Sequence, residues 1–215
     1  MSRTQGNDPR LDRREAMRVL LDNRGDMLVV TGLGSTTWDA AAVGEDERNF
    51  YLWGAMGAAA MVGLGLAVAQ PARRVLVVTG DGEMLMGLGA LATIGVQRPP
   101  NLAVAVFDNG HYAETGMQAS HTDYGVSLCG VARSCGIEGV YDIGNRQALA
   151  DFARLLPSPS ERTLFCAGRN PCRGTTACAA VARRRFSEEP FPPRNRGRMT
   201  ATSAASNCAG NRRSR

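Results

Sequence analysis

Two short apolar runs end on polar corners, and the spacing between them restricts this chain to one kind of folding unit. Val75-Leu76-Val77-Val78-Thr79 leads into Gly80-Asp81-Gly82, and Leu102-Ala103-Val104-Ala105-Val106-Phe107 leads into Asp108-Asn109. Asn109 follows Gly82 by 27 residues. Both runs are short, apolar and bounded by turn residues, the pattern of strands buried on both faces of a parallel sheet. Residues 83–97, rich in Met, Leu and Ala, predict the crossover helix that joins such a pair. The resulting βαβ unit puts Asp81 and Asn109 at the carboxyl ends of its strands, where open α/β sheets bind ligands. A carboxylate and an amide oxygen are hard donors, suited to a Mg²⁺ that also holds phosphates. The glycines beside Asp81 let backbone N–H groups approach a diphosphate.

The same alternation runs through the body. Residues 11–23 predict an amphipathic helix with Leu11, Met17, Leu20 and Leu21 available to a core. Residues 27–31 predict a buried strand that ends in Gly32-Leu33-Gly34-Ser35, and residues 44–49 a polar connection. Phe50-Tyr51-Leu52-Trp53 runs into Gly54-Ala55-Met56-Gly57, followed by a helix of small residues over 58–70. After Asn109 comes an irregular stretch, 110–124, then a helix over 126–136, a short strand at 140–142 and a helix over 147–156. Strand and helix in turn predict an α/β fold, a doubly wound parallel sheet with helices on both faces. A Rossmann dinucleotide site does not fit. Thr37 stands where the third glycine after Gly32-x-Gly34 belongs, and Gly63-x-Gly65 lies inside a predicted helix.

At 215 residues the chain holds one full α/β domain. No apolar run reaches membrane-spanning length and residues 1–14 lack a signal-peptide pattern, so no membrane role and a cytoplasmic location are expected. The net charge of +5 hides a split. Residues 1–156 carry 13 Arg against 17 acids, whereas residues 157–215 carry 12 Arg against 3 acids. The body has no basic stripe with interleaved aromatics, so no nucleic-acid partner is expected. Cys166, Cys172 and Cys178 are spaced C-x5-C-x5-C, outside the common zinc patterns, and no metal or disulfide role is assigned to any cysteine.

The Gly80-Asp81-Gly82 to Asn109 segment resembles the diphosphate-binding signature of thiamine diphosphate (ThDP) enzymes. Residues 50–57, 86–95 (Met86-Gly87-Leu88-Gly89-Ala90-Leu91-Ala92-Thr93-Ile94-Gly95) and 108–118 are similar to sulfopyruvate decarboxylase β subunits and the C-terminal part of phosphonopyruvate decarboxylases. The likeness covers roughly residues 11–155. It implies that Asp81 and Asn109 ligand Mg²⁺ through side-chain oxygens and His111 through its backbone carbonyl. Gly80 belongs to the signature, and Gly82 and Glu83 would give N–H groups to the diphosphate. Gly54 would offer its carbonyl to the 4′-amino group of the cofactor. Met56 would be the wedge that bends it, although an ordinary core methionine fits the pattern too. Gly32 and Ser35 would lie near the diphosphate end or form a plain turn. Tyr112, Glu114, Gln118 and His121 would face substrate or stand solvated in a loop.

The carboxylate that activates ThDP belongs, in this family, to a separate pyrimidine-binding domain on a neighbouring subunit. The chain has room for one of the two domains. The resemblance therefore implies a heteromer in which a pyrimidine-domain partner supplies the activating Glu. The implied reaction is decarboxylation of a small anionic 2-oxo acid, similar to 3-sulfo- or 3-phosphonopyruvate, with release of CO₂ and an aldehyde. An acetolactate synthase-type carboligase and a truncated, non-catalytic cofactor-binding relative are the alternatives.

The chain divides into residues 1–10, expected to be disordered, a ThDP-binding domain over 11–156, and an Arg-rich tail over 157–215. From Pro157 the alternation stops, although Thr163-Leu164-Phe165-Cys166 has the make-up of a strand's beginning. A disordered basic extension, a partner-binding arm and an out-of-frame C-terminus are the readings of the tail. The last would leave the sheet short of a strand.

Overall fold

The computed structural model describes residues 11–157 and 162–169. Residues 1–10 and 170–215, with the expectations attached to them, lie outside the described residues. The body is a six-stranded, wholly parallel sheet. Its strands are β1 (Leu28–Thr31), β2 (Asn49–Tyr51), β3 (Val75–Gly80), β4 (Leu102–Asp108), β7 (Gly139–Ile143) and β8 (Leu164–Arg169), in the order β2-β1-β3-β4-β8-β7. A two-stranded hairpin, β5 (His111–Tyr112) with β6 (Gln118–Ala119), occupies the stretch expected to be irregular.

Each central strand feeds two cores, as period-two alternation requires. In β3, Val75 and Val77 enter one core while Leu76 and Val78 enter the other; in β4, Leu102, Val104 and Val106 oppose Ala103 and Ala105. The first core is completed by α3 (Ala59–Ala69), α4 (Asp81–Met86), α5 (Gly89–Gln97) and α6 (Leu128–Ser134). The second is completed by α1 (Arg13–Leu21), α2 (Ser35–Val43) and α7 (Arg146–Leu155). Asp12 caps α1 by accepting the Arg14 and Glu15 amides at 3.0 and 2.9 Å, and Asn145 caps α7 through the Ala148 amide at 2.9 Å.

Two expectations are corrected, and one helix that had no assignment is added. The single crossover helix over 83–97 is two helices, α4 and α5, broken at Gly87-Leu88. The cause is close backbone approach: a Cβ on Gly87 would stand 2.0 Å from the Gly57 carbonyl oxygen, so the 54–57 loop and the helix break fit only as paired glycines. Helix α2 had no assignment from sequence; its Ala- and Thr-rich face lacks a clean apolar stripe. The domain boundary at 156 also moves. Strand β8 pairs with β4 on one side and β7 on the other, with Phe165 fully buried, so the sheet has its penultimate strand and the folded body reaches residue 169.

The chain leaves β1 through α2 to reach β2, then crosses back through α3 to β3 on the other side of β1. The carboxyl ends of β1 and β3 therefore flank a topological switch point, where a crevice opens.

Candidate functional site

That crevice is lined by Ser35 and Thr36 after β1, Gly80 to Glu83 after β3, and Asn109 after β4. Met56 and the hairpin residues His111, Tyr112 and Glu114 complete its walls. Of the residues singled out in the sequence, Ser35, Met56, Gly80, Asp81, Gly82, Glu83, Asn109, His111 and Tyr112 thus meet in one cleft. Gly54 lies on the exposed loop leading to Met56, and Gly32 is buried beneath the cleft. Gln118 and His121 are exposed and do not line it; Gln118 accepts from the Thr115 hydroxyl at 2.9 Å.

Asp81 is 2% exposed. Its Oδ2 accepts from Ser120 Oγ at 2.5 Å and from Thr122 Oγ1 at 3.3 Å, and its Oδ1 accepts from the Asn109 amide at 3.3 Å. Burial pushes its pKa up, the Ser120 hydroxyl pulls it down, and the neighbouring Asp108 pushes it up again. Among the described residues no Arg forms an ion pair with it. A buried carboxylate facing a second one calls for a cation, and the oxygens at hand (Asp81, the Asn109 side chain, the backbone of the hairpin) are those that Mg²⁺ prefers. Asn109 Oδ1 accepts from the His111 amide at 2.9 Å, which fixes the amide plane with its oxygen towards the hairpin. The His111 ring turns back on the chain. Its Nδ1 lies 3.0 Å from the Asn109 carbonyl oxygen, an acceptor only, so Nδ1 carries the proton.

Glu83 does something the sequence did not foretell. Its side chain points away from the cleft floor and is buried under the β1 turn, where Oε2 accepts from Thr79 Oγ1 at 2.8 Å and from the Leu33 amide at 3.1 Å. A Cβ on Gly32 would stand 1.6 Å from that oxygen, so Gly32 is a glycine because Glu83 needs its space. Burial raises the Glu83 pKa, and the Thr79 hydroxyl and the Ala59, Leu33 and Gly57 amides oppose the rise. One carboxylate thus links the ends of β1 and β3, while its Oε1 is buried without a hydrogen-bond partner among the described residues.

A scan of family models matches residues 32–158 to the description "Thiamine pyrophosphate enzyme, C-terminal TPP binding domain", thiamine pyrophosphate being ThDP. The chain belongs to this family. The ThDP-enzyme domain is 40% identical over 143 residues to the sulfopyruvate decarboxylase β subunit of Methanothermobacter thermautotrophicus, covering 65% of this chain and 76% of that one. It is 35% identical over 205 residues to the phosphonopyruvate decarboxylase of Streptomyces hygroscopicus, covering 91% of this chain and 50% of that enzyme. That second match is too long to stop at residue 157 and runs into the Arg-rich region. Among solved structures, 2-oxoglutarate:ferredoxin oxidoreductase from Magnetococcus marinus superposes with a TM-score of 0.60 at 17% identity, over 80% of this chain and 69% of the other, which establishes a shared fold.

Ser120, Thr122 and Arg13 are site residues that the sequence did not reveal. The two hydroxyls reach Asp81 only because the hairpin folds back, and Arg13 reaches the cleft from α1, far away in the chain. No local pattern marks any of the three.

Proposed function

We propose that this chain is the ThDP- and Mg²⁺-binding subunit of a 2-oxo acid decarboxylase that acts on a 3-sulfo- or 3-phosphonopyruvate-like substrate and releases CO₂ and an aldehyde. The observation that carries the proposal is the cation-free, buried Asp81 beside Asn109 at the switch point. Asp81 and Asn109 hold the metal through their side chains and His111 through its backbone carbonyl. The amides of Gly82 and Glu83 receive the diphosphate. Gly54 takes the 4′-amino group on its carbonyl, and Met56 forms the apolar wedge. Bound there, ThDP supplies the electron sink for loss of CO₂.

The activating carboxylate comes from a separate subunit that carries the pyrimidine-binding domain. Trp53, Met61 and Met86, around the 54–57 loop, are 52%, 42% and 60% exposed, the kind of apolar surface that a partner covers. Relatives named as β subunits support the same arrangement, and relatives named as decarboxylases support the reaction. Among the described residues no helix is long and apolar enough to cross a membrane, in keeping with a cytoplasmic enzyme.

Calorimetric titration of ThDP with Mg²⁺ into the full chain, alone and with a pyrimidine-domain partner, tests the proposal. Binding should require Mg²⁺, strengthen with the partner, and weaken about a hundredfold or more in Asp81→Ala. Metal-independent binding, or binding unchanged by the substitution, would overturn it.

A further inference from the structure

Among the described residues Arg13 is the only Lys or Arg that lines the cleft. It enters from the first turn of α1 and lines the same cleft as Ser35, Thr36 and the residues that follow β3. Its side chain is 13% exposed. A guanidinium that deep in a protein is held by something, and here the holder is Asp39 on α2, itself only 3% exposed. Arg13 Nε lies 3.0 Å from Asp39 Oδ2, an ion pair without hydrogen-bond alignment. Arg14 stands further off, with its Nε 3.8 Å from Asp39 Oδ1. Arginine carries a fork of terminal nitrogens that pairs well with phosphate oxygens.

The arrangement is expensive if it serves packing alone. Burying a carboxylate and a guanidinium together costs several kcal/mol in desolvation, which the pair recovers only with good geometry and further hydrogen bonds. Asp39 Oδ2 finds no aligned donor among the described residues. An apolar pair at the α1–α2 contact would pack as well. What the pair gains is a fixed cation at the rim of a cleft whose other charged walls, Asp81, Glu83 and Glu114, are all acidic. Of these, Asp81 answers a metal and the Glu83 carboxylate is taken up by Thr79 and the Leu33 amide; none of them pairs with the anion that the metal brings. Glu114, which packs against Gly34, is exposed and is carried by the hairpin rather than by the sheet.

We propose that Arg13, held in place by Asp39, is a diphosphate-binding residue of the cofactor site. The inference rests on the ThDP reading above and adds a residue, with its positioning partner Asp39, that lies outside the diphosphate signature. It involves no chemical step. Arg13 contributes affinity and orientation for the diphosphate, and Asp39 contributes by setting the guanidinium.

The experiment compares ThDP with thiamine monophosphate by calorimetry, in Mg²⁺, on the full chain with its partner subunit. The variants are Arg13→Met, Arg13→Lys, Asp81→Ala and the double variant Arg13→Met/Asp39→Asn. The double variant removes the cation without leaving a buried carboxylate unpaired, and circular dichroism checks that each variant folds. Arg13→Met and the double variant should weaken ThDP by about tenfold or more, as expected for loss of a charge-assisted contact. Arg13→Lys should recover part of that loss. The preference for ThDP over the monophosphate should shrink in step. Asp81→Ala weakening ThDP while both Arg13→Met variants bind like wild type would overturn the Arg13 assignment and leave the cofactor reading standing. Absence of Mg²⁺-dependent ThDP binding in the wild type would overturn both.

Discussion

At the amino ends of the strands, buried nitrogen donors are tied to backbone carbonyls; at the carboxyl ends, buried carboxylates are met by hydroxyls and amides. Arg74, 7% exposed, gives Nε to the Leu156 carbonyl at 2.9 Å and Nη1 to the Pro100 carbonyl at 2.7 Å. Asn101 Nδ2 reaches the carbonyls of Ala67, Gln70 and Arg73, at 2.9, 3.0 and 2.9 Å. These bonds knit the turns into β3 and β4 to α3 and α7. Across the sheet, burial raises the pKa of Asp81 and of Glu83. The first end spends its polar groups on the fold. The second keeps charge under tension, as expected of a surface that is completed by a cation.

That contrast is easiest to break with a matched pair of neutralising substitutions. Arg74→Met should cost about 2–4 kcal/mol of unfolding free energy, because two carbonyls lose charge-assisted donors in a dry place. Asp81→Asn should leave the metal-free, cofactor-free chain within about 1 kcal/mol of wild type or above it. The amide keeps the shape, Ser120 and Thr122 can reorient their hydroxyls, and a buried charge disappears. Urea unfolding at neutral pH without Mg²⁺ measures both. Equal losses would mean that Asp81 is a structural residue like Arg74.

The pH dependence of stability sharpens the same comparison. Burial raises Asp39 from 3.8 to about 6, with Arg13 and Arg14 opposing the rise. A folded-state pKa above the unfolded value means that the folded state holds the proton more tightly. The stabilisation is therefore fully present below about pH 4 and is lost as pH rises through about 6. The shift corresponds to ~3 kcal/mol at most. Asp81 and Glu83 shift in the same direction and add to the slope. Urea midpoints from pH 4 to 7 should fall with rising pH in wild type and fall less steeply in Asp39→Asn. An unchanged slope in the variant would show that Asp39 is not the source.

Much of this carboxyl end was legible in the sequence, for a physical reason. Asp81 and Asn109 sit directly after buried strands, so local pattern and parallel pairing fix where they emerge. The role of Glu83 was not legible, because a residue three places along a first helical turn gives no sign of whether its side chain faces ligand or core. Here the space vacated by Gly32, fifty-one positions earlier, decides it. Arg13 and Ser120 escaped for the same reason: each reaches the cleft through tertiary packing alone. The break between α4 and α5 was hidden because Gly87 and Gly89 look like tolerated glycines in a helix until the Gly57 carbonyl is known to press on one of them. Strand β8 was half legible. Its apolar opening was visible at 163–166, but the Arg-rich sequence beyond masked its continuation to 169.

The amino end offers the smallest test, and it bears on that strand. Thr163 opens β8 just after residues 158–161 and is 4% exposed; its Oγ1 donates to the Pro99 carbonyl at 2.7 Å. The bond ties the entry of β8 to the turn before β4, the strand it pairs with. Valine has nearly the shape of threonine but no donor, so Thr163→Val leaves the Pro99 carbonyl with only the longer bond from the Leu102 amide, at 3.4 Å, and should cost about 1 kcal/mol. Thr93→Val, on an exposed face of α5, is the control and should change stability by less than about 0.5 kcal/mol. Urea midpoints for the two variants decide the matter. A loss confined to Thr163→Val would mean that β8 is anchored as a full member of the sheet, by the same side-chain-to-carbonyl logic as Arg74 and Asn101. Equal midpoints would mean that β8 joins through its ladder and the Phe165 contact alone, and that the knitting of the amino end stops at β4.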